Sequence, residues 1–322
     1  MRKRMTTVLI GGLALAGFGA VGPAQAALTT FCDGHAGGVT VPGDLVVGAG
    51  DACSLEDTVI NGNVRVAAGA DLVATGLTVN GNVTVQDEGY LDLAESTVTG
   101  NVVNRGAFGV YLDYTNANAY TANANVNPEG FLWTFESDFS GRVLATGGSV
   151  LLESTVVNRA VESSDTQYTD ILDTVVGGAL TVTGADFGAL VCGSEVDGHA
   201  TFASNGEGVQ LGAGGALGEC DLGTSVWGGN VTIAGTAGHV QVSDNIIRGN
   251  LSGTGNGSVA QSDNRIRGEL QGQFAEQAQM RMQMQLEAPA AEAPERQVLE
   301  QLRSERHAQA EADALAAGPA KL

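Results

Sequence analysis

Few residues of this chain are of kinds that do chemistry, and their spacing is loose. Seven arginines, Arg65, Arg105, Arg142, Arg159, Arg248, Arg265 and Arg267, occupy the middle of the sequence, and lysine occurs only at Lys3 and Lys321. A polysaccharide lyase needs a basic side chain beside carboxylates, and a hydrolase needs two carboxylates several ångströms apart. The stretch SSDTQYTDILD offers Asp165, Asp170 and Asp173, but no second acidic cluster matches it to fix a catalytic geometry. His35, His199, His239 and His307 share no common spacing. No Ser-His-Asp arrangement and no phosphate-binding loop is legible, so no catalytic, cofactor-binding or metal-ligating residue is assigned. The acidity of the chain would favour capture of cations, calcium among them. The plainer reading is that the acidity keeps a Gly- and Val-rich body soluble.

Two other residue types are concentrated. Eight of the sixteen Phe, Trp and Tyr residues fall between Phe108 and Phe139. An exposed strip of such rings stacks on sugars or seats a partner protein. The four cysteines, Cys32, Cys53, Cys192 and Cys220, are an even set suited to an oxidising compartment. Proximity in sequence pairs Cys32 with Cys53 and Cys192 with Cys220. No CxxC and no neighbouring histidine supports a zinc site.

Residues 1–26 read as a secretory signal peptide: Arg2, Lys3 and Arg4, an apolar run, then Ala24-Gln25-Ala26. Removing those three cations takes the formal charge from −21 to −24. So acidic a surface argues against nucleic acid and anionic lipid as partners. No later run reaches the ~20 apolar residues of a membrane span. The expectation is an exported protein, extracellular or associated with the cell envelope, that does not insert into a membrane.

The elements that must position these residues come from an internal repeat. TVNGNV at Thr78 returns as TVTGNV at Thr97, 19 residues on. Taking the Gly of each Gly-Asn corner as origin, Gly43, Gly62, Gly81 and Gly100 are 19 apart. The series continues through Ala122, Gly141, Asn158, Gly177, Gly198, Gly229, Gly249 and Gly268, with one 31-residue interval before Gly229. In this alignment Ala122 marks a coil that has lost its corner glycine.

Two residues before the origin stand Val41, Ile60, Val79, Val98, Tyr120, Phe139, Val156 and Val175. Two after it stand Leu45, Val64, Val83, Val102, Ala124, Val143, Ala160 and Ala179. Neither column holds a charge, and Glu162 breaks the next inward one. Period-2 apolar positions around a tight corner describe short strands, with Gly and Asn expected to supply positive φ. Stacked once per ~19 residues, they predict an all-β, right-handed parallel β-helix (β-solenoid) of about eleven coils. Asn63, Asn82, Asn101, Asn123, Asn230 and Asn250 share one column, which predicts a hydrogen-bonded ladder. The sequons at Asn82, Asn230, Asn250 and Asn256 read as turn chemistry before glycan acceptors.

In this phase Cys53 and Leu132 point inward. Phe131, Trp133 and Phe135 then point out, with Tyr111 on the same side, and these four form the candidate binding surface. The open alternative is that the segment 114–119 or the C-terminal tail covers them. The second cysteine pair brackets GAGGALGECDLG and would clamp it as a loop. After Gln273 the composition turns to Ala, Gln, Glu and Arg. Met280, Met282, Met284 and Leu286 alternate, which suggests a capping strand. Residues 295–317 favour helix but offer only Val298, Leu299, Leu302 and Leu315 as larger apolar anchors, so the tail reads as partly helical or disordered. The divisions are a signal peptide, 1–26; a solenoid with N-terminal cap, 27–274; and a tail, 275–322. A threonine column (Thr40, Thr78, Thr97, Thr155, Thr174) lacks the paired face of an ice-binding solenoid.

The units VINGNVRV, LTVNGNVTV, STVTGNV and DNRIRGELQGQ resemble secreted bacterial β-helix proteins of unknown function with VxGNVxV repeats, and more distantly bactofilin-like solenoids. The resemblance spans 39–274 and implies the fold while leaving activity open. Two functions follow. The leading one is a secreted, non-enzymatic structural or binding scaffold whose aromatic strip holds a glycan or cell-surface protein. The alternative is a polysaccharide lyase or hydrolase on the same fold.

Overall fold

The computed structural model describes residues 28–122, 127–280 and 294–322. The expected signal peptide, Asn123, and the Met282 to Leu286 alternation lie outside them. Each coil carries three short strands, as in Val64–Val66, Asp71–Thr75 and Thr78–Val79. All pair in parallel with the equivalent strands of the neighbouring coils. The second face is a 12-stranded sheet. The first and third faces join into one 23-stranded sheet, because Thr97–Asn104 and Asn116–Ala122 run unbroken through the corner between them. A last first-face rung at Leu270–Gly272 follows the twelfth coil, so the solenoid slightly exceeds the eleven coils expected.

The interior follows from period 2. Val64, Val83 and Val102 stand in register, all buried, with Val66 and Val85 two residues on. β-Branched side chains suit this pleated, fully covered surface. The corner glycines serve a different purpose from the one expected. Gly62, Gly81 and Gly100 do not adopt positive φ; a Cβ at Gly81 would lie 2.6 Å from the Gly62 carbonyl oxygen. Glycine is there because successive corners stack too closely for a side chain. Positive φ falls instead at the corner between the second and third faces, at Asp57, Glu95, Glu136, Asp173 and Asp244.

Two ladders hold the corners in register. Asn63 Oδ1 accepts the Asn82 N–H and Asn82 Oδ1 accepts the Asn101 N–H, each at 2.9 Å. The expected asparagine ladder therefore runs mainly from side chain to backbone. The second ladder is a buried column that follows the positive-φ residue, at Thr58, Ser96, Thr115, Ser137, Thr155, Thr174 and Ser194, and Ser225 continues it by accepting the Ser194 N–H. The Ser96 hydroxyl donates to the Ala94 carbonyl at 2.7 Å and accepts the Leu77 N–H at 3.0 Å.

Three coils depart from the expected phase. Tyr120 pairs with Val102 and Val143, so that coil turns at Asn118, not Ala122, and its extra residues follow Ala122. Asn118 Nδ2 donates to Asn101 Oδ1 at 2.8 Å, and the buried Tyr120 hydroxyl accepts from Asn104 Nδ2 at 2.9 Å. In the next two coils Val161 and Leu180 take the inward position expected of Ala160 and Ala179. Val157 and Val176 replace Val156 and Val175, and Glu162 faces outward. A Val or Leu buries more apolar surface than an Ala, which decides the slip. Thr155 and Thr174 consequently belong to the buried hydroxyl ladder, apart from Thr40, Thr78 and Thr97.

Both ends are closed by the chain itself. Cys32–Cys53 ties the first coil to the second. At the far end helix α1 (Gln273–Met280) places Phe274 under the last coils, fully buried. Helix α2 (Pro294–Ala317) then lies along the second face. Beyond it the chain reaches the first coil: His35 N–H donates to the Gly318 carbonyl at 2.9 Å, and Ala320 N–H donates to the His35 carbonyl at 2.8 Å. The tail is a docked helix followed by a single β-bridge, His35 to Pro319, on the first coil.

Candidate functional site

On the second face Leu91, Leu93, Val110 and Leu132 fill the interior, which turns Tyr90, Asp92, Tyr111, Phe131, Trp133 and Phe135 outward. The outward direction of the strip is as expected. Gly109 makes room for it: a Cβ there would lie 2.2 Å from the Phe131 ring. Phe131 and Trp133 stand 4.9 Å apart centroid to centroid, and Tyr111 and Phe135 5.3 Å apart.

The strip is covered, and of the alternatives the sequence left open it is the C-terminal tail that covers it. Phe131 and Trp133 are only 2% and 3% exposed, and Tyr111 and Phe135 are half-buried. Helix α2 forms a second core over them with Leu299 and Ala310. A row of outward rings would leave a large apolar area in water, and a helix from the same chain removes it. Of the four anchors expected on this helix, only Leu299 is buried; Val298, Leu302 and Leu315 face solvent. The face that docks is Leu299, Arg303, Arg306, Ala310 and Ala314, spaced at helical period. Two cations and two alanines hid this stripe from a search for large apolar residues.

Charge fixes the helix in place. Arg306 Nη2 lies 2.7 Å from Asp71 Oδ1, and Arg303 Nη1 lies 3.6 Å from Asp92 Oδ2. His307 Nδ1 lies 2.7 Å from Asp92 Oδ2, which also accepts the Tyr90 hydroxyl at 2.5 Å. The guanidinium of Arg303 sits 4.2 Å above the Tyr111 ring. The hydrogen bond to Asp92 holds His307 above its ordinary pKa, against partial burial. Burial lifts the Asp71 carboxyl above its ordinary range, partly countered by Arg306. The Tyr111 hydroxyl is pushed up to about 12 by burial.

The other candidates are not brought together. Asp165 and Asp173 sit exposed at positive-φ corners, while Asp170 is buried on the outer side of the second face. His199 Nδ1 accepts the Asn230 N–H at 3.0 Å, a ladder role. His239 Nδ1 is 2.8 Å from Ser258 Oγ, but its other nitrogen meets the Gln241 amide oxygen and not a carboxylate. Cys192–Cys220 clamps the long loop as expected, and Gln210 Oε1 accepts the Leu217 N–H from it at 2.9 Å. Among the described residues no group of three or more His, Cys, Asp or Glu is placed to hold a metal ion. No helix among them is long and apolar enough to cross a membrane.

No protein-family model, curated protein or solved structure matches this chain.

Proposed function

We propose that the protein is a secreted, non-enzymatic structural and binding scaffold. The observation that carries this reading is the docking of α2. The aromatic strip and the two carboxylates beside it, Asp71 and Asp92, are engaged by Leu299, Arg303, Arg306 and His307 of the same chain. The strip thus works as a receptor for the protein's own helix, and its rings serve stability in the closed form. Two disulfides support an oxidising compartment outside the cytoplasm.

Full-length protein incubated with a panel of plant, algal and bacterial polysaccharides tests this. The expected result is retention of selected glycans or surface proteins with no new reducing ends and no unsaturated products. Catalytic release of either product by the pure protein would overturn it.

A further inference from the structure

The first face carries a groove of about 380 Å³, lined by Arg65, Arg105, Thr29, Thr84, Gln86 and Asp44 among others. Arg65 stands in register with Thr84, and Arg105 follows Asn104, which pairs with Val85. The two arginines are therefore two coils apart, about 10 Å along the axis. Both are exposed, and neither makes an ion pair or side-chain hydrogen bond among the described residues; the ion pairs found there belong to Arg303, Arg306 and His307. Asp44, the one carboxylate of the lining, is occupied: its Oδ1 accepts the Asn63 N–H at 2.7 Å and lies 3.3 Å from Asn63 Nδ2.

The chain has 36 carboxylates for 15 Lys and Arg residues, so two arginines left unpaired in one groove run against its charge balance. What the groove offers is two planar cationic forks, two hydroxyls and an amide. Forks of this kind take carboxylates in bidentate fashion, while hydroxyls and amides suit sugar hydroxyls. The volume is that of a small-ligand site. Duplex DNA carries a charge about every 1.7 Å and would meet strong repulsion from the acidic body. A chain with sparse carboxylates would not.

We propose that this groove binds a carboxylate-bearing oligosaccharide, with Arg65 and Arg105 each taking a carboxylate. The proposal rests on the reading of the protein as a glycan-retaining scaffold, and it moves the contact from the aromatic strip to the first face. A second groove of about 590 Å³, at the corner leading into the same face, holds Arg142 and Arg159 with Glu162, the same charge count at another position, so it serves as the control for position.

The test is calorimetric titration of the full chain with trigalacturonate and with a neutral trisaccharide. Arg65→Gln, Arg105→Gln and Arg159→Gln are compared, with thermal melting to confirm folding. Trigalacturonate is expected to bind, the neutral sugar not, and each of the first two substitutions to weaken binding at least tenfold while Arg159→Gln leaves it unchanged. Absence of trigalacturonate binding to the folded chain overturns the proposal, as does equal affinity after both groove substitutions. Binding of a single-stranded oligonucleotide, lost in the same two variants and without trigalacturonate binding, overturns it in favour of a nucleic acid. Shortened or unsaturated sugar released from a ligand that still depends on Arg65 and Arg105 upholds the groove and sinks the scaffold reading. Retention of glycan indifferent to both arginines does the reverse.

Discussion

Val175 and Val176 are neighbours in sequence, yet one is 40% exposed and the other has no exposed surface. An aspartate at Val176 must enter the interior without a partner, at a cost of several kcal/mol, whereas one at Val175 meets water. Val176→Asp is expected to lower the melting temperature sharply or abolish folding, and Val175→Asp to change it little. The same contrast holds between Val83→Asp and Thr84→Asp. Equal destabilisation within either pair, measured by urea or thermal unfolding, would show the phase of that coil to be wrong. At the Gly-Asn corners Gly62, Gly81 and Gly100 the apolar columns on either side were legible from spacing alone, and they held also at Gly43, Gly141 and Gly198. Phase was lost in three coils, at Asn118, Arg159 and Gly178. There the larger side chains compete for the interior, and a column count anchored on corners cannot see that competition. The Ser/Thr ladder went unread for a related reason: its signal is a small polar residue after a positive-φ position, and Asp, Glu, Ser and Tyr all fill that position.

Helix α2 is held by groups that titrate, so its docking depends on pH. His307 faces Asp92 from the sheet, with Glu311 and Arg303 of its own helix beside it; Asp71 faces Arg306, with Asp313 nearby. The folded-state pKa of His307 is raised above 6.5, so its contribution is complete below that value and is lost as pH rises through the raised pKa. Asp71 is also raised, above 3.8, and favours the docked state at the acidic end of its titration, so the two act in the same direction. The protection of α2 amides, with the intrinsic pH dependence of exchange divided out, is expected to fall between pH 6 and pH 8 (about the histidine range), and His307→Gln to flatten that change. Protection that is the same at both ends of the window would remove His307 from the latch.

Fluorescence gives a second measure of the same docking. Trp227 is buried inside the coil with its Nε1 donating to Asn245 Oδ1 at 2.9 Å, so Trp227→Phe isolates Trp133. In that background emission is expected at short wavelength, and Leu299→Asp is expected to shift it to the red while the β-sheet circular dichroism persists. A blue signal that ignores Leu299→Asp would place the shielding elsewhere. The strip could be read from sequence because strand alternation is strict. The tail as its cover was one of two alternatives left open, and the residues that dock could not be named because the docking face of α2 is mostly arginine and alanine.

At the scale of the molecule the solenoid is a rod of about 55–60 Å, twelve coils at ~4.8 Å each. Its disulfides close spans of 21 and 28 residues. Each is worth roughly 3 kcal/mol by loop-closure entropy. Non-reducing peptide mapping is expected to show Cys32–Cys53 and Cys192–Cys220 with no free thiol, and reduction to lower stability at both the capped end and the clamped loop. Cross-linked pairings or four reactive thiols would break the capping scheme.

The contact of Gly318 and Ala320 with His35 has a consequence for the order in which the protein is completed. Coils can stack on one another as the chain emerges, beginning with the first, because each needs only its predecessor. The aromatic face nevertheless stays wet until α2 has arrived, and the opening coil keeps a bare edge until Gly318 to Ala320 follow it. A chain that stops short of Gly318 would carry a nearly complete rod with its oldest end still adhesive. A chain carrying residues 318–320 is therefore distinguished from one cut before them at the end made first.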